Sequence, residues 1–334
     1  MKRLYSIDGD GASRTIDAAV AAISSGDLVA IPTETVYGLA ADAQNDKAVA
    51  KIFSTKGRPS FNPLIAHVSG LEMAETLAKV NQSALDLATT FWPGPLTLVM
   101  PQKDHAPLSP LATAGLKTVA VRCPAHPIAK KIIESFGSAI VAPSANKSGH
   151  LSPTSAERVL EGFHNDDQPV IIIDGGSSSI GIESTIIDAT SREIKIIRPG
   201  SITIEDISEK TDVPVNLSND AQAASTGAIK PIAPGQLASH YAPVTTVRLN
   251  ATSPDENEVF LAFRSSGDLE KPFSEVLSET GDLKEAAANL YEMLWRLDVV
   301  AIANGLDRIA VAPIPDDGIG AAINDRLRRA AAPR

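Results

Sequence analysis

The residues best suited to chemistry lie in the stretch STKGRPSFNPLIAHV, which begins at Ser54. It holds Lys56, Arg58 and, after a proline, Asn62. A lysine supplies a mobile charge and an arginine a planar fork that suits phosphate or carboxylate. A glycine between them lets the backbone approach a ligand closely. The pattern indicates an anion site. The alternative is a solvated loop at a helix end, where basic side chains suit the helix dipole.

A second polar turn, APSANKSGHLSPT, follows the apolar run AIV and begins at Ala142. Ser144 and Asn146 lie two residues apart, so both side chains would point the same way on an extended segment. Ser152 adds a further hydroxyl. Hydroxyls and amides at a strand end can bind phosphate or ribose. A polar turn that caps the next helix is the alternative.

The stretch PTETVYGLAADA places Thr33, Glu34 and Thr35 in a hydrophobic segment that we predict to be a buried strand. Three polar groups on a buried strand need hydrogen-bond partners or a ligand. The stretch therefore predicts either an internal polar network or a substrate contact.

Other polar side chains interrupt apolar strands further along the chain. Thr118 and Arg122 lie four residues apart in LKTVAVRCP and share one face of a strand. Ser184 and Arg198 lie at the ends of two later strands. His67 lies in an apolar strand, where a lone histidine is usually a core residue. With the cations of the first stretch, these arginines favour a convergent anion pocket.

The segments that must position these residues alternate between β-rich runs and helical patterns. Short strands separated by helices predict an α/β domain with a mixed sheet. Residues 216–243 are rich in small and polar residues broken by Gly and Pro, which is typical of a linker. Beyond them, about 90 residues predict a smaller α/β domain. The strand and helix predictions are the runs LVAIPTETV, NPLIAHV, LTLVM, TVAVRCP, AIVAPSAN, PVIIIDGG, ESTIIDA, IKIIRPG, TTVRLNA, EVFLAFRSS and RIAVAPIP, and the runs AVAKIFST, ALDLATTF, HPIAKKIIESFG, LKEAAANLYEMLWRLDVV and GAAINDRLRRAA.

Composition excludes several classes of protein. The 334 residues carry a net charge of −10, divided into +2 for residues 1–150 (14 Lys and Arg against 12 Asp and Glu) and −12 for the rest. A generic nucleic-acid binder needs a broad basic face, whereas this chain offers at most a basic cleft in its first half. The single cysteine excludes a disulfide framework and a multi-cysteine zinc site, and fits a reducing cytoplasm.

Several motifs are absent from the sequence. It holds no P-loop, no GxGxxG after a strand, no GxSxG elbow, no HExxH helix and no metal-binding acidic run. The first residues lack the apolar segment of a signal peptide, and no apolar stretch approaches the ~20 residues that span a bilayer. We therefore expect a cytoplasmic protein that does not bind membranes and has no metal site of its own.

The motifs PTETVYGL, KGRPxxNPLIxHV, WPGPLTLV, TVAVRxP, APSANxSGxxSPT, ESTIID and IxRPG follow one another in this order. The series, from Asp17 to Ser201, closely resembles the YrdC/TsaC family of threonylcarbamoyl-AMP synthases. The segment PGQLASHYAP resembles the linker signature PGxxxxHYxP of the long, two-domain form. The ending VAPIPDDGIGAAINDRLRRAA is also similar to that form. The resemblance thus covers nearly the whole chain.

The resemblance implies a YrdC-like twisted mixed sheet in residues 13–201, a linker and lid in 216–243, and a C-terminal Rossmann-like domain in 244–334. It implies synthesis of threonylcarbamoyl-AMP and pyrophosphate from L-threonine, bicarbonate or CO₂, and ATP with Mg²⁺. The product would pass to a transferase complex that forms N6-threonylcarbamoyladenosine beside the anticodon of ANN-decoding tRNAs. Direct binding of tRNA to this chain is expected to be weak.

The resemblance also implies roles for individual residues. Lys56 and Arg58 would be catalytic, by stabilising charge on the phosphates, and the linker residues His240 and Tyr241 would close the site. The implied ATP contacts are Lys56, Arg58, Asn62, Thr118, Ser144, Asn146, Ser152, Arg198 and Tyr241. The implied threonine contacts are Thr35, His67, Arg122, the backbone at Ala142, and Ser184.

Two other functions are compatible with parts of the sequence. The basic concavity of the first domain could serve an RNA-binding or ribosome-maturation protein, although no RNP-type aromatic strand is present. A carbamoyltransferase of the hydrogenase-maturation kind shares a YrdC-like domain. It also needs cysteine-rich zinc modules, which a single cysteine cannot build.

Overall fold

The structure is a computed structural model that describes residues 3–6, 11–163, 170–217, 233–235, 239–265 and 273–333. Its strands are β1 Arg3–Ser6, β2 Leu28–Ile31, β3 Gly38–Asp42, β4 Ile65–His67, β5 Leu96–Pro101, β6 Thr118–Arg122, β7 Ile140–Val141, β8 Val170–Asp174, β9 Thr185–Asp188, β10 Ile194–Arg198, β11 Val215–Leu217, β12 Thr246–Arg248, β13 Glu258–Arg264, β14 Ser274–Ser278 and β15 Arg308–Val311. Its helices are α1 Gly11–Ser24, α2 Asp46–Lys56, α3 Leu71–Leu77, α4 Gln82–Phe91, α5 Pro127–Phe136, α6 Ala156–Gly162, α7 Ile204–Lys210, α8 Leu283–Asn304 and α9 Gly320–Ala331.

Within the described residues, eleven strands form one mixed sheet in the order β1-β8-β2-β3-β7-β4-β6-β5-β9-β10-β11. Its central strands carry apolar side chains on both faces. In β2, Leu28 and Ala30 pack into the core that contains α2 and α4, while Val29 and Ile31 pack against α1 and α5. Period-2 alternation sends neighbouring residues to opposite faces, so helices cover the sheet on both sides.

In the described part of the second unit, four strands form a parallel sheet in the order β12-β15-β13-β14, which packs against α8 and α9. Its apolar core also takes in Val36, Ile182 and Tyr241 from outside the unit. The predicted α/β class, with a large mixed sheet and a smaller second α/β sheet, is confirmed.

Two local predictions were wrong. The polar trio Thr33 to Thr35 does not lie on a strand but in the turn between β2, which ends at Ile31, and β3, which begins at Gly38. Strand β7 ends at Val141, so the predicted strand AIVAPSAN is shorter than expected: Ser144 forms only an isolated bridge with Gly38, and the chain bends at Ala145 and Asn146. In both places a turn lets polar groups leave the sheet and meet partners from other segments.

The predicted linker, 216–243, is described only in part, since residues 218–232 and 236–238 lie outside the described residues. Ala233 packs in an apolar cluster with Ile65, Ala120 and Ile186, on the face of the large sheet. Residues 164–169 of the predicted first domain also lie outside the described part. The three domain boundaries stay a prediction. No helix within the described ranges is long and apolar enough to cross a membrane.

Candidate active site

One wall of the site begins where α2 ends. Gly57, with φ of 60°, caps α2 in the left-handed conformation that favours glycine, and turns the chain towards the sheet. The Arg58 side chain donates to the Asn62 carbonyl at 3.1 Å, to Asn62 Oδ1 at 2.7 Å and to the Pro63 carbonyl at 2.8 Å. Lys56 Nζ donates to the carbonyls of Ser144 and Asn146. This wall therefore joins the first polar stretch to the second.

Burial and repulsion between neighbouring cations lower the pKa values of Lys56 and Arg58 in this wall. Burial lowers the pKa of Lys56 well below its usual value, and repulsion from Arg58 and Lys147 lowers it further. Burial also lowers the pKa of Arg58 to about 10, with Tyr241 acting in the opposite direction and Arg198 in the same one. An opposite charge nearby reverses such shifts. The electrostatics of the wall therefore favour a polyanion such as a triphosphate.

Arg198, at the end of β10, faces this wall from the other side. Its guanidinium donates to the Ser184 carbonyl at 2.8 and 3.1 Å, to Ser184 Oγ at 3.1 Å and to the Pro234 carbonyl at 3.2 Å. Ser184 Oγ also lies 2.7 Å from Thr97 Oγ1. The strand-end arginine thus ties a sheet strand to residue 234 of the predicted linker.

The opposite end of the site is built around Arg122, the last residue of β6. Arg122 Nη1 donates to Thr35 Oγ1 at 2.9 Å, and Nη2 forms an ion pair with Glu34. Burial alone would raise the pKa of Glu34, but this ion pair and hydrogen bonds from backbone amides hold it below its usual value. Arg122 Nε is buried without a hydrogen-bond partner in the described structure. An arginine donor of this kind suits a carboxylate ligand.

His67 lies on the neighbouring strand, with its Cα level with that of Arg122. Burial, and then the charge of Arg122, lowers the pKa of His67 to about 3, so the imidazole is neutral near pH 7. Nδ1 donates to the Ile65 carbonyl at 3.1 Å. Nε2 is then left as a hydrogen-bond acceptor.

One cavity brings together nine of the residues predicted to contact ATP or threonine. Its lining includes the last residues of β4, β6 and β10, together with Pro234 and Gly235. The nine are Thr35, Arg58, His67, Arg122, Ala142, Ser144, Ser184, Arg198 and Tyr241. This convergence supports the predicted anion pocket, while the ligand of each residue stays a prediction.

The other five predicted residues are not among those that line this cavity. Lys56 and Asn62 are buried behind its wall, where Asn62 Nδ2 has no hydrogen-bond partner in the described structure. Thr118 is the first residue of β6 and lies on the same strand face as Arg122. Since Ile65 pairs with Ala120 in this parallel pair, Thr118 lies level with Pro63. Asn146 and Ser152 line a second, neighbouring cavity.

The second polar turn therefore serves two cavities. Ser144 lines the first, whereas Asn146 Nδ2 donates to the carbonyls of Lys147 and His150, both at 2.8 Å. Ser152 Oγ donates to Glu183 Oε1 at 2.6 Å. The expectation that Ser144 and Asn146 point the same way was wrong, because the chain bends at Ala145.

The two predicted lid residues, His240 and Tyr241, line the cavity. His240 and Tyr241 are 5% and 2% exposed, and the two rings meet edge to face with centroids 4.1 Å apart. Tyr241 has a positive φ of 60° and stacks on Tyr291 of α8 at 5.9 Å. Packing from the second unit thus holds Tyr241 in this strained conformation.

Sequence reasoning missed three buried residues around this lid. Glu183 lines the cavity, and Tyr291 and Arg326 both contact its carboxylate. The available signal was the cluster DRLRR near the chain end, since a charged residue on the apolar face of an amphipathic helix needs a buried partner. The sequence does not show which partner.

The described residues include no group of three His, Cys, Asp or Glu side chains that could hold a metal ion.

Family models match almost the entire chain. One, Sua5_yciO_yrdC with the description "Telomere recombination", matches residues 21–200. The other, the C-terminal domain of threonylcarbamoyl-AMP synthase, matches residues 202–332. The chain belongs to the threonylcarbamoyl-AMP synthase family. The predicted relation to the long, two-domain form is thereby confirmed.

Two curated relatives in this family align with more than nine-tenths of both chains. The threonylcarbamoyl-AMP synthase of Pyrococcus abyssi is 41% identical over 92% of this chain and 91% of its own. That of Bacillus subtilis is 39% identical, over 95% and 92%. The crystal structure of P. abyssi Sua5 complexed with L-threonine has a TM-score of 0.85, with 37% identity over 99% of this chain and 97% of that one.

One more distant likeness concerns the hydrogenase-maturation alternative. Full-length HypF, solved in a phosphate- and nucleotide-bound form, is 22% identical with a TM-score of 0.50. It aligns with 57% of this chain, which in turn covers 30% of HypF. This match shows a shared fold alone. The full-length relatives favour the threonylcarbamoyl-AMP synthase family over that alternative and over an RNA-binding protein.

Proposed function

We propose that the protein is an L-threonylcarbamoyladenylate synthase, which condenses L-threonine, bicarbonate or CO₂, and ATP into threonylcarbamoyl-AMP and pyrophosphate. The observation that carries the proposal is a single cavity with mutually repelling cations at one side and an arginine with an unpartnered donor at the other. The full-length relatives named for this activity agree with it.

The reaction requires that the substrates be held in the correct geometry, and it does not require a nucleophile from the protein. The neutral amine of threonine adds to CO₂ and loses a proton, which gives a carbamate. A carbamate oxygen then forms a bond to the α-phosphorus of ATP, the bond from that phosphorus to the bridging oxygen breaks, and pyrophosphate leaves. Holding the reactants in line and stabilising phosphate charge can supply most of the rate.

We assign one group of residues to threonine and the other to ATP. Arg122 Nε donates to the threonine carboxylate, while neutral His67 accepts a hydrogen bond from threonine through Nε2. Lys56, Arg58 and Arg198 stabilise the phosphates of ATP, which binds as its magnesium complex. We assign Asn62, Thr118, Ser144, Asn146, Ser152 and Tyr241 to the nucleotide, and Thr35, Ala142 and Ser184 to threonine.

The proposed function predicts that pyrophosphate release depends on threonine. The protein is incubated with MgATP, bicarbonate and L-threonine, and pyrophosphate and the adenylate are measured together. We expect both in equal amounts, and neither when threonine or bicarbonate is left out. Pyrophosphate release at the same rate without threonine would refute this function.

We further propose that the linker, predicted as residues 216–243, acts as a lid through its described residues 233–235 and 239–243, because a carbamate is unstable in water and gains from a closed site. Gly235 fixes this lid, since a Cβ there would lie 2.5 Å from the Tyr241 hydroxyl and 3.0 Å from Arg198 Cδ. Its φ of +84° also disfavours alanine.

The variant Gly235→Ala is therefore expected to lower kcat/KM for adenylate formation by roughly 10- to 100-fold, the scale of small misplacements in an active site. Gly305→Ala is the matched control, because Gly305 also has a positive φ, of +66°, but no atom within 4 Å of its Cβ. The control should lose some thermal stability while keeping its activity. Equal activity of the two variants would argue against the lid.

The proposed product is an activated carbamoyl donor. We propose that a separate transferase complex uses it to form N6-threonylcarbamoyladenosine next to the anticodon of ANN-decoding tRNAs, in the cytoplasm. The net charge of −12 on residues 151–334 supports weak direct binding of tRNA.

A further inference from the structure

A buried carboxylate lies in the wall of the cavity, next to its cations. Glu183 is 7% exposed and lies close enough to Arg198 for each charge to affect the pKa of the other. A negative charge at this position opposes the binding of a phosphate. It repels the phosphate directly, and it competes for the guanidinium of Arg198.

The Glu183 carboxylate accepts hydrogen bonds from three side chains that do not line this cavity. Arg326 Nε donates to Glu183 Oε2 at 3.0 Å, the Tyr291 hydroxyl donates to the same oxygen at 2.9 Å, and Ser152 Oγ donates to Oε1 at 2.6 Å. Two of these three donors come from α8 and α9 of the C-terminal unit. Arg326 is only 1% exposed, so its ion pair with Glu183 is shielded from water.

The hydrogen-bond partners of Arg198 show why the neutralisation of Glu183 matters for ligand binding. In the described structure its hydrogen bonds go to neutral oxygens, namely two carbonyls and the Ser184 hydroxyl. Because Arg326 neutralises Glu183, the charge of Arg198 stays available to a ligand. If Arg198 were paired with Glu183, its guanidinium would have to break that ion pair before it could bind a phosphate.

The same arginine also contacts the lid. The guanidinium of Arg326 lies 5.5 Å from the centre of the Tyr241 ring. Arg326 Nη1 donates to the Pro199 carbonyl at 2.6 Å, directly after Arg198 in the chain, and pairs with Asp325 at 3.1 Å. One side chain of the second unit thus contacts the carboxylate, the lid and the end of β10.

We propose that Arg326 is a positioning residue for ATP binding, supplied by the C-terminal domain, which neutralises Glu183 so that Arg198 can bind the nucleotide phosphates. The proposal rests on the ATP-dependent function proposed above and gives the second domain a part in it. Arg326 acts through Glu183 and Arg198.

The test is a pair of variants of the full chain. Arg326→Met should raise KM for ATP by about tenfold, as expected when one charge-assisted phosphate contact is lost. The KM for threonine should change less than about threefold. The double variant E183Q/R326M should return KM for ATP to near the wild-type value, because glutamine has no charge with which to compete for Arg198. Arg328→Met, at an exposed position on the same helix, is the control and should match the wild type.

The rescue separates an electrostatic role from a structural one. The double variant still lacks the contacts of Arg326 with Tyr241 and Pro199, so a purely structural role predicts no recovery. An unchanged KM for ATP in Arg326→Met, or a tenfold raised KM in the double variant, would overturn the proposal. If Arg326→Met does not fold, as judged by thermal unfolding, the double variant alone decides between these outcomes.

Equilibrium binding of adenylyl-imidodiphosphate, an ATP analogue, to the same four proteins keeps this inference separate from the proposed function. If the wild type binds the analogue but makes no adenylate, the proposed function fails. The tenfold weakening in Arg326→Met and its recovery in E183Q/R326M would then still test the role of Arg326.

Discussion

Arg58→Ala is expected to reduce formation of the adenylate by roughly 10³-fold or more, because one preorganised charged donor to a developing anion contributes about 10²–10³ and Arg58 also orders Asn62. Arg58 lines the cavity, is 8% exposed and donates a hydrogen bond to Asn62 Oδ1 at 2.7 Å. Adenylate and pyrophosphate are measured under saturating threonine and bicarbonate. A rate within tenfold of the wild type would refute its phosphate role.

The fold is expected to survive this change. Loss of the side chain leaves the carbonyls of Asn62 and Pro63 with fewer donors, at about 1–3 kcal/mol for each unsatisfied group. It also removes the repulsion that lowers the pKa of Lys56, which offsets part of that cost. Arg192→Ala, at an exposed position in the loop before β10, is the control and should alter neither activity nor thermal stability.

Arg122→Met should raise KM for threonine by roughly 100-fold or more, since the cavity loses the donor that suits the substrate carboxylate. The change also leaves Glu34 as a buried carboxylate without its cation. Breaking a buried ion pair from one side costs about 3–5 kcal/mol of unfolding free energy. Steady-state kinetics and denaturant unfolding measure the two effects separately.

The double variant E34Q/R122M distinguishes the two roles of Arg122. It removes the unpaired charge, so most of the lost stability should return, while KM for threonine should stay high. Wild-type KM for threonine in this variant would show that Arg122 does not bind the substrate. Lys130→Met is a control, because it breaks an exposed ion pair with Glu134 of a kind worth about 0–1 kcal/mol.

Much of the fold could be predicted because it follows from local patterns. Apolar runs bounded by proline and glycine correspond to strands β2 and β4 to β10, and the helical patterns correspond to α2, α4, α5, α8 and α9. The first helix, Gly11–Ser24, was missed although its periodicity is helical. Two predictions failed where a strand ends early and a turn replaces it, since chain direction there depends on contacts from other segments.

The sequence by itself determined the α/β class, the order of the family motifs and nine of the residues that line the cavity, because side-chain type is a local property. Only the tertiary structure decided how Glu183 and Arg326 pair. They lie 143 residues apart. Glu183 comes just before β9 of the large sheet, and Arg326 lies on α9 of the second unit, so the packing of α9 brings the two side chains together. It also decided that Ser144 and Asn146 line different cavities, and that Thr35 reaches Arg122 from a turn. A buried charge reveals in sequence that it needs a partner, but the packing of distant elements selects that partner.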